Sequence, residues 1–129
     1  MKLLLDTRVV LWAASEPDQL TAAAREGLED GANDVFVSVV SAWEIAIKQS
    51  FGKLELPKPA EQWLPDVLRR CNFELAEVGL AAALRVRALP WHHRDPFDRL
   101  LLAQAAEDGY TLVTRDSALD AYGIPILRA

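Results

Sequence analysis

Long apolar runs are missing from this sequence, whose longest unbroken stretches are a handful of residues, far short of the roughly 18 to 20 that cross a bilayer. No membrane span is expected. The opening Met1-Lys2-Leu3-Leu4-Leu5 turns acidic at Asp6, before the apolar region of about 7 to 15 residues that a secretory signal needs. A single cysteine, Cys71, cannot form an internal disulfide, and together these features lead us to expect a cytoplasmic protein. Glycine-rich phosphate loops and a G-x-S-x-G elbow are also absent, which leaves the nucleotide-cradle and serine-hydrolase classes without support.

Positive charge is scarce too. Fourteen Lys and Arg stand against 19 Asp and Glu, a net of −5, which at face value argues against a nucleic-acid partner. That objection lapses if acids hold metal. Four carboxylates around two divalent cations would add four positive charges, turning −5 into −1 and freeing Lys and Arg to meet phosphates. What is present is an ordinary globular composition, 51% hydrophobic and 26% charged over 129 residues, the length of one domain spanning residues 1–129.

Lys2 to Asp6 is a short apolar run of the kind a strand buried on both faces shows, and a helical pattern follows from Val9 to Ala14. Helix from Thr21, strand at Val35-Phe36-Val37, and a helix capped by Ser38 or Ser41 and running to Gly52 come next. Lys53 to Pro59 is an extended connector because its two prolines forbid a helix. Beyond it the pattern predicts a helix over 60–71, a strand over 73–78, a helix over 80–89 and a loop over 90–94. Asp95 then caps a helix that has Pro96 at its first position and Asp98 where a capping box places its acid, and Gly109 stops it. Strands over 110–114 and 124–127 flank a short helical turn. This alternation predicts an α/β fold, a central parallel sheet of about five strands with helices on both faces. Ligands in such sheets bind beyond the carboxyl ends of the strands, here after Leu5 and Val113.

Two acids fall at those ends, Asp6 and Asp116. Two more fall on inward helix stripes: Glu44 in the row Val40, Glu44, Ile47, Phe51, and Asp98 in the row Asp98, Leu101, Leu102, Ala105. Each has a plain structural alternative. Glu44 can pair with Lys48 four residues on, contributing about 0.2 to 0.5 kcal/mol; Asp98 can serve the helix start, Asp6 a helix cap, and Asp116 an Asx turn. All four together fit one acidic cluster better, because unpartnered inward carboxylates are costly. Oxygen donors without His or Cys select Mg²⁺ or Mn²⁺ over zinc. Two such ions about 3.5 to 4 Å apart can activate water and stabilise a leaving oxygen in phosphodiester cleavage. Thr7 and Thr114 are close enough to the acids to hold a ligand or water. His92 and His93, adjacent and therefore pointing apart, are expected at a loop rim, and Cys71 at a helix end against the core.

Lys2-Leu3-Leu4-Leu5-Asp6-Thr7, Ser38-Val39-Val40-Ser41-Ala42-Trp43-Glu44-Ile45-Ala46-Ile47-Lys48, Gly52-Lys53-Leu54, His93-Arg94-Asp95-Pro96-Phe97-Asp98-Arg99-Leu100-Leu101, Ala103-Gln104-Ala105 and Thr114-Arg115-Asp116 occur in this order. Together they resemble the PIN-domain family, specifically the VapC-like toxins of bacterial type II toxin-antitoxin modules. The resemblance implies a PIN-like three-layer fold and a Mg²⁺-dependent endoribonuclease that cuts RNA, is inhibited by a small cognate antitoxin, and is usually a homodimer. The family's acids carry over as Asp6, Glu44, Asp98 and Asp116. Asp98 is preferred over Asp95 because it lies in phase with Leu101 and Leu102. One departure is Arg8, where relatives commonly have His after Asp-Thr; a cation there bears on RNA placement or the antitoxin's fit.

The rival readings are non-nucleolytic. A metal-binding PIN fold or a receiver-like signalling module would share the length and the acidic pocket, but a receiver wants a lysine after its last strand, where this chain has Arg128. A haloacid-dehalogenase-like phosphatase wants a second acid two residues after Asp6, where Arg8 stands. Four tryptophans, of which Trp12, Trp63 and Trp91 have no obvious core assignment, add to the expectation of a dimer interface.

Overall fold

The apolar run after Met1 becomes β1 (Lys2–Leu5), in which Leu3, Leu4 and Leu5 are all fully buried. Side chains alternate across a strand, so Leu3 and Leu5 enter one apolar cluster and Leu4 the other. Each such leucine contributes about 1.5 to 3 kcal/mol by leaving water. The computed structural model describes residues 1–129. After β1 come α1 (Thr7–Ser15), α2 (Ala22–Glu29), β2 (Asp34–Ser38), α3 (Val39–Ser50), α4 (Ala60–Cys71) and β3 (Glu74–Ala76). Then follow α5 (Leu80–Arg85), α6 (Pro96–Asp108), β4 (Thr111–Thr114) and β5 (Ile126–Arg128). Short 3-10 turns occupy Pro17–Gln19, Val86–Ala88 and Ser117–Tyr122.

The five strands form one sheet in the order β3-β2-β1-β4-β5, with every neighbouring pair parallel. Val9 and Val10 of α1, Ala24 of α2, and Trp63, Leu64 and Val67 of α4 cover one face with Leu3 and Leu5. Leu101, Leu102 and Ala105 of α6 cover the other with Leu4. Helix α3 reaches both, through Ile45 on the first side and Val40 on the second. The expected three-layer parallel architecture is therefore present. No helix is long and apolar enough to cross a membrane.

Several boundaries differ from the sequence expectation, each for a local reason. Helix α1 starts at Thr7 rather than Val9 because the Asp6 carboxylate accepts the Arg8 N–H and caps it. The helix expected over 80–89 stops at Arg85, and a 3-10 turn replaces its last part. There the carbonyls of Val86 and Leu89 accept hydrogen bonds from the Arg99 guanidinium instead of continuing the helix. Strand β5 starts at Ile126, not Ile124, since the intervening Pro125 has no N–H for a ladder. Trp63 is a core residue, 4% exposed, so it lends nothing to a dimer interface. Trp43 and Trp91 are 57% and 73% exposed.

The chain builds outward from β1 to β2 and β3, then crosses to the other side of β1 for β4 and β5. The order reverses between β1 and β4, and the crevice beyond the carboxyl ends of strands at such a reversal is where ligands bind. Gln104 ties α6 to this sheet edge. Fully buried, it accepts a 2.6 Å hydrogen bond from the Ser38 hydroxyl and donates one of 3.1 Å to the Glu77 carbonyl. Gln104→Leu removes both bonds, and a loss of about 1 to 3 kcal/mol is expected in urea unfolding; an unchanged midpoint would show that the pair contributes nothing.

Candidate active site

Beyond the carboxyl ends of β1 and β4 lies a cleft of about 530 Å³, into which Asp6, Glu44, Asp95, Asp98 and Asp116 all project along its lining. Arg8, Lys48, Lys53 and Arg115 line it as well, so the acids share their surroundings with four cations. Asp6 follows β1 directly, and its N–H donates to the Val113 carbonyl of β4 at 2.9 Å, extending the ladder into the crevice. Its Oδ1 caps α1 while its Oδ2 accepts from the Thr114 hydroxyl at 2.7 Å.

Glu44 is 6% exposed on α3, as its place on an apolar stripe predicts. The Thr7 hydroxyl donates to its Oε1 at 2.7 Å, and Lys48 Nζ pairs with its Oε2. Thr7 also lies 2.9 Å from the Ser41 hydroxyl. The Glu44 hydrogen bond raises the Lys48 pKa, which keeps that ammonium charged. The salt bridge considered as an alternative to a cleft role thus exists beside it.

Asp98 and Asp116 meet through a residue that the sequence reading placed at a rim. His93 Nε2 lies 2.8 Å from Asp116 Oδ2 and 3.1 Å from Asp98 Oδ2, while its Nδ1 accepts the Asp95 N–H at 3.1 Å. The reciprocal capping bond expected from Asp98 is therefore not made: Asp95 caps Phe97 and Asp98, but its own N–H belongs to His93. Asp116 Oδ1 accepts the Ala118 N–H as an Asx turn does. His92 does stay outside, packed edge-on against Tyr122. One sequence signal pointed toward His93: Arg99 lies in phase with Leu102 on α6, so a cation had to be accommodated inside, and the loop before Asp95 is what accommodates it.

Burial pushes Asp6 above its usual carboxyl range, with Thr114 and the Arg8 N–H opposing and Glu44 assisting. Burial, then the charges of Asp6 and Asp95, pushes Asp98 up to about 7, with His93 pulling against the rise. Asp116 goes the other way: desolvation would raise it, but the Ala118 N–H and His93 hold it low. Of these acids Asp98 and Asp116, together with His93, bring donor atoms within 4.8 Å of one another, close enough to hold a divalent cation.

The sign of the resulting pH effect follows directly. Asp98 binds its proton more tightly folded (about 7) than at its ordinary value of 3.8, so its contribution to stability is fully present below about pH 4 and lost as pH rises through 7. In the presence of chelator, Asp98→Asn is expected to melt several degrees above the parent at pH 8, with the gap closing toward pH 4. Equal melting temperatures at pH 8 would show that Asp98 is not strained.

Known proteins resemble this chain. The chain matches the PIN domain over residues 3–125. It is 33% identical over 125 residues to ribonuclease VapC22 of Mycobacterium tuberculosis, an alignment covering 95% of this chain and 92% of that protein. Ribonuclease VapC16 of the same organism is 39% identical over 61 residues, 47% of this chain and 43% of the relative. Among solved structures, VapBC2 from Rickettsia felis bound to a DNA fragment from its promoter shares the fold at a TM-score of 0.75 and 17% identity, covering 99% of this chain and 98% of that one. The chain belongs to the PIN-domain family, in its VapC-like branch.

Proposed function

We propose that the protein is a Mg²⁺-dependent endoribonuclease, the toxin of a type II toxin-antitoxin module acting in the cytoplasm. The observation that carries this reading is the convergence of carboxylates from four separate segments at the strand-order reversal, where burial and the neighbouring acids raise Asp98 to about 7. Both relatives bear the name ribonuclease, and the R. felis structure is a VapBC complex, which supports an antitoxin as partner.

Asp6, Glu44, Asp98 and Asp116 would hold the metal, Mg²⁺ or Mn²⁺. When bound, such an ion makes water nucleophilic at neutral pH and stabilises the leaving oxygen of a phosphodiester. The chain's own groups do the rest. Thr114 and Thr7 fix the orientation of Asp6 and Glu44. Arg8, Lys53 and Arg115 bring cations to the cleft wall, where RNA phosphates need them. The Arg115 guanidinium lies over Trp12, 4.2 Å from the ring centre, and donates to the Ala129 carbonyl at 2.8 Å, while the exposed Arg8 lies 5.9 Å from the same ring. An antitoxin arginine or lysine placed among the same carboxylates would inhibit by taking the metal's place.

Purified protein is expected to cut RNA with Mg²⁺ and not with EDTA; RNA binding without cleavage would favour a binding module. Asp6→Asn and Asp98→Asn should each abolish cleavage in a folded protein, whereas Asp95→Asn should keep most of it, since Asn caps helices well. The reverse result for the two helix aspartates would reassign the site.

Homodimerisation is part of the same reading. An apolar groove of about 760 Å³ between α3 and α4, with Ala42, Ala46, Leu64 and Leu68 along it, is consistent with such an interface. Light scattering at micromolar concentration should give twice the chain mass of 14.3 kDa; a monomer would remove the dimer from the proposal.

A further inference from the structure

We propose that His93 is a positioning residue for the metal-holding carboxylates: an imidazole that presents its Nε2–H to Asp98 and Asp116 together and does not itself ligate the metal. The proposal rests on the metal-dependent reading above, but its geometry stands on the protein alone.

His93, Asp98 and Asp116 offer donor atoms that all lie within 4.8 Å of one another, so a ligand role for the histidine is the obvious rival. Its other nitrogen decides between them. Nδ1 accepts the Asp95 N–H at 3.1 Å, so it carries a lone pair, and the one proton of the neutral ring is on Nε2. Ligation through Nε2 would move that proton to Nδ1, where it would face the Asp95 N–H donor head-on at the start of α6. The ring therefore reaches the cleft as a hydrogen-bond donor, joining an acid on α6 to an acid after β4.

The loop that carries His93 is built to hold this orientation. Arg99, 2% exposed, has no carboxylate partner; its guanidinium donates to the carbonyls of Pro90 (2.9 Å), His93 (3.2 Å), Val86 (3.1 Å) and Leu89 (3.1 Å). Trp91 covers it, with the guanidinium carbon 3.8 Å from the ring centre. The Tyr122 hydroxyl accepts the His93 N–H at 2.9 Å and donates to the Pro90 carbonyl at 2.8 Å. Both backbone polar groups of His93 are thus taken, one by Arg99 and one by Tyr122. A buried cation spent on loop carbonyls is a costly way to cover a fold. It is a direct way to hold a ring against two carboxylates, since residues that orient metal ligands must themselves be locked.

Two substitutions separate the two ends of the ring. In His93→Asn the amide oxygen stands where Nδ1 stood and can keep the Asp95 N–H, but nothing reaches the carboxylates. In His93→Gln the longer amide brings an N–H donor to the place of Nε2 and gives up the Asp95 contact. Binding of Mn²⁺, followed by the electron paramagnetic resonance signal of the free ion, is expected to weaken about 10- to 100-fold in His93→Asn and to return to within a few-fold of the parent in His93→Gln. Parent affinity in both, or equal loss in both, overturns the proposal. Imidazole ¹⁵N shifts provide the second readout: the Nε2–H tautomer is expected in metal-free protein and after addition of Mg²⁺, and a change to Nδ1–H on adding Mg²⁺ would make His93 a ligand and overturn it. Neither measurement uses RNA, so a chain that binds Mn²⁺ but cuts no RNA refutes the ribonuclease reading and leaves this one standing.

Discussion

Carboxylates gathered in a half-buried cleft repel one another more strongly than they would in water, because little solvent stands between them. Burial and the charges of its neighbours raise Asp98 to about 7, and Asp6 is raised for the same reasons. The surrounding chain is arranged to hold these groups in place in spite of that. Hydroxyls from Thr7 and Thr114 and the ammonium of Lys48 each donate to one of the acids, and the ring of His93 lies against two. Each of these donors is in turn fixed by an element that packs on the sheet. The apolar clusters on the two sheet faces are what make such unfavourable proximity sustainable.

The acids do two things at once because a carboxylate has two oxygens. Asp6 Oδ1 caps α1 and Asp116 Oδ1 closes an Asx turn, while the Oδ2 atoms meet Thr114 and His93. Glu44 divides its oxygens between Thr7 and Lys48. The structural roles of these residues therefore do not compete with their places on the cleft wall. These contacts orient each side chain where it lines the cleft.

What could be read from the sequence was whatever depends on period and position. β1 is visible as an apolar run, Asp6 and Asp116 as acids at strand ends, and Glu44 and Asp98 as charges in phase with leucines and isoleucines. The parallel sheet followed from the alternation of strand and helix. The part of His93 was legible only indirectly, in the inward phase of Arg99, since it depends on Arg99 and Tyr122 gripping the backbone of residues 86–93 from elsewhere in the fold. The shortened α5 escaped for the same reason. Trp63 looked unassigned because α4 carries charge on its outer side; only the position of that helix against β1 and α1 shows that the indole is inside.

The central place of β1 has a kinetic consequence. Its partner on one side, β2, lies close in the chain, but β4 on its other side does not: Thr114 reaches Asp6 across 108 residues. Contacts so distant in sequence form late, after their loop-closure entropy has been met. A chain emerging from the ribosome carries Asp6 and Glu44 well before Asp98 and Asp116 exist, and even a complete chain has no acidic cleft until β4 docks beside β1. Formation of the cleft thus reports that β4 has docked beside β1.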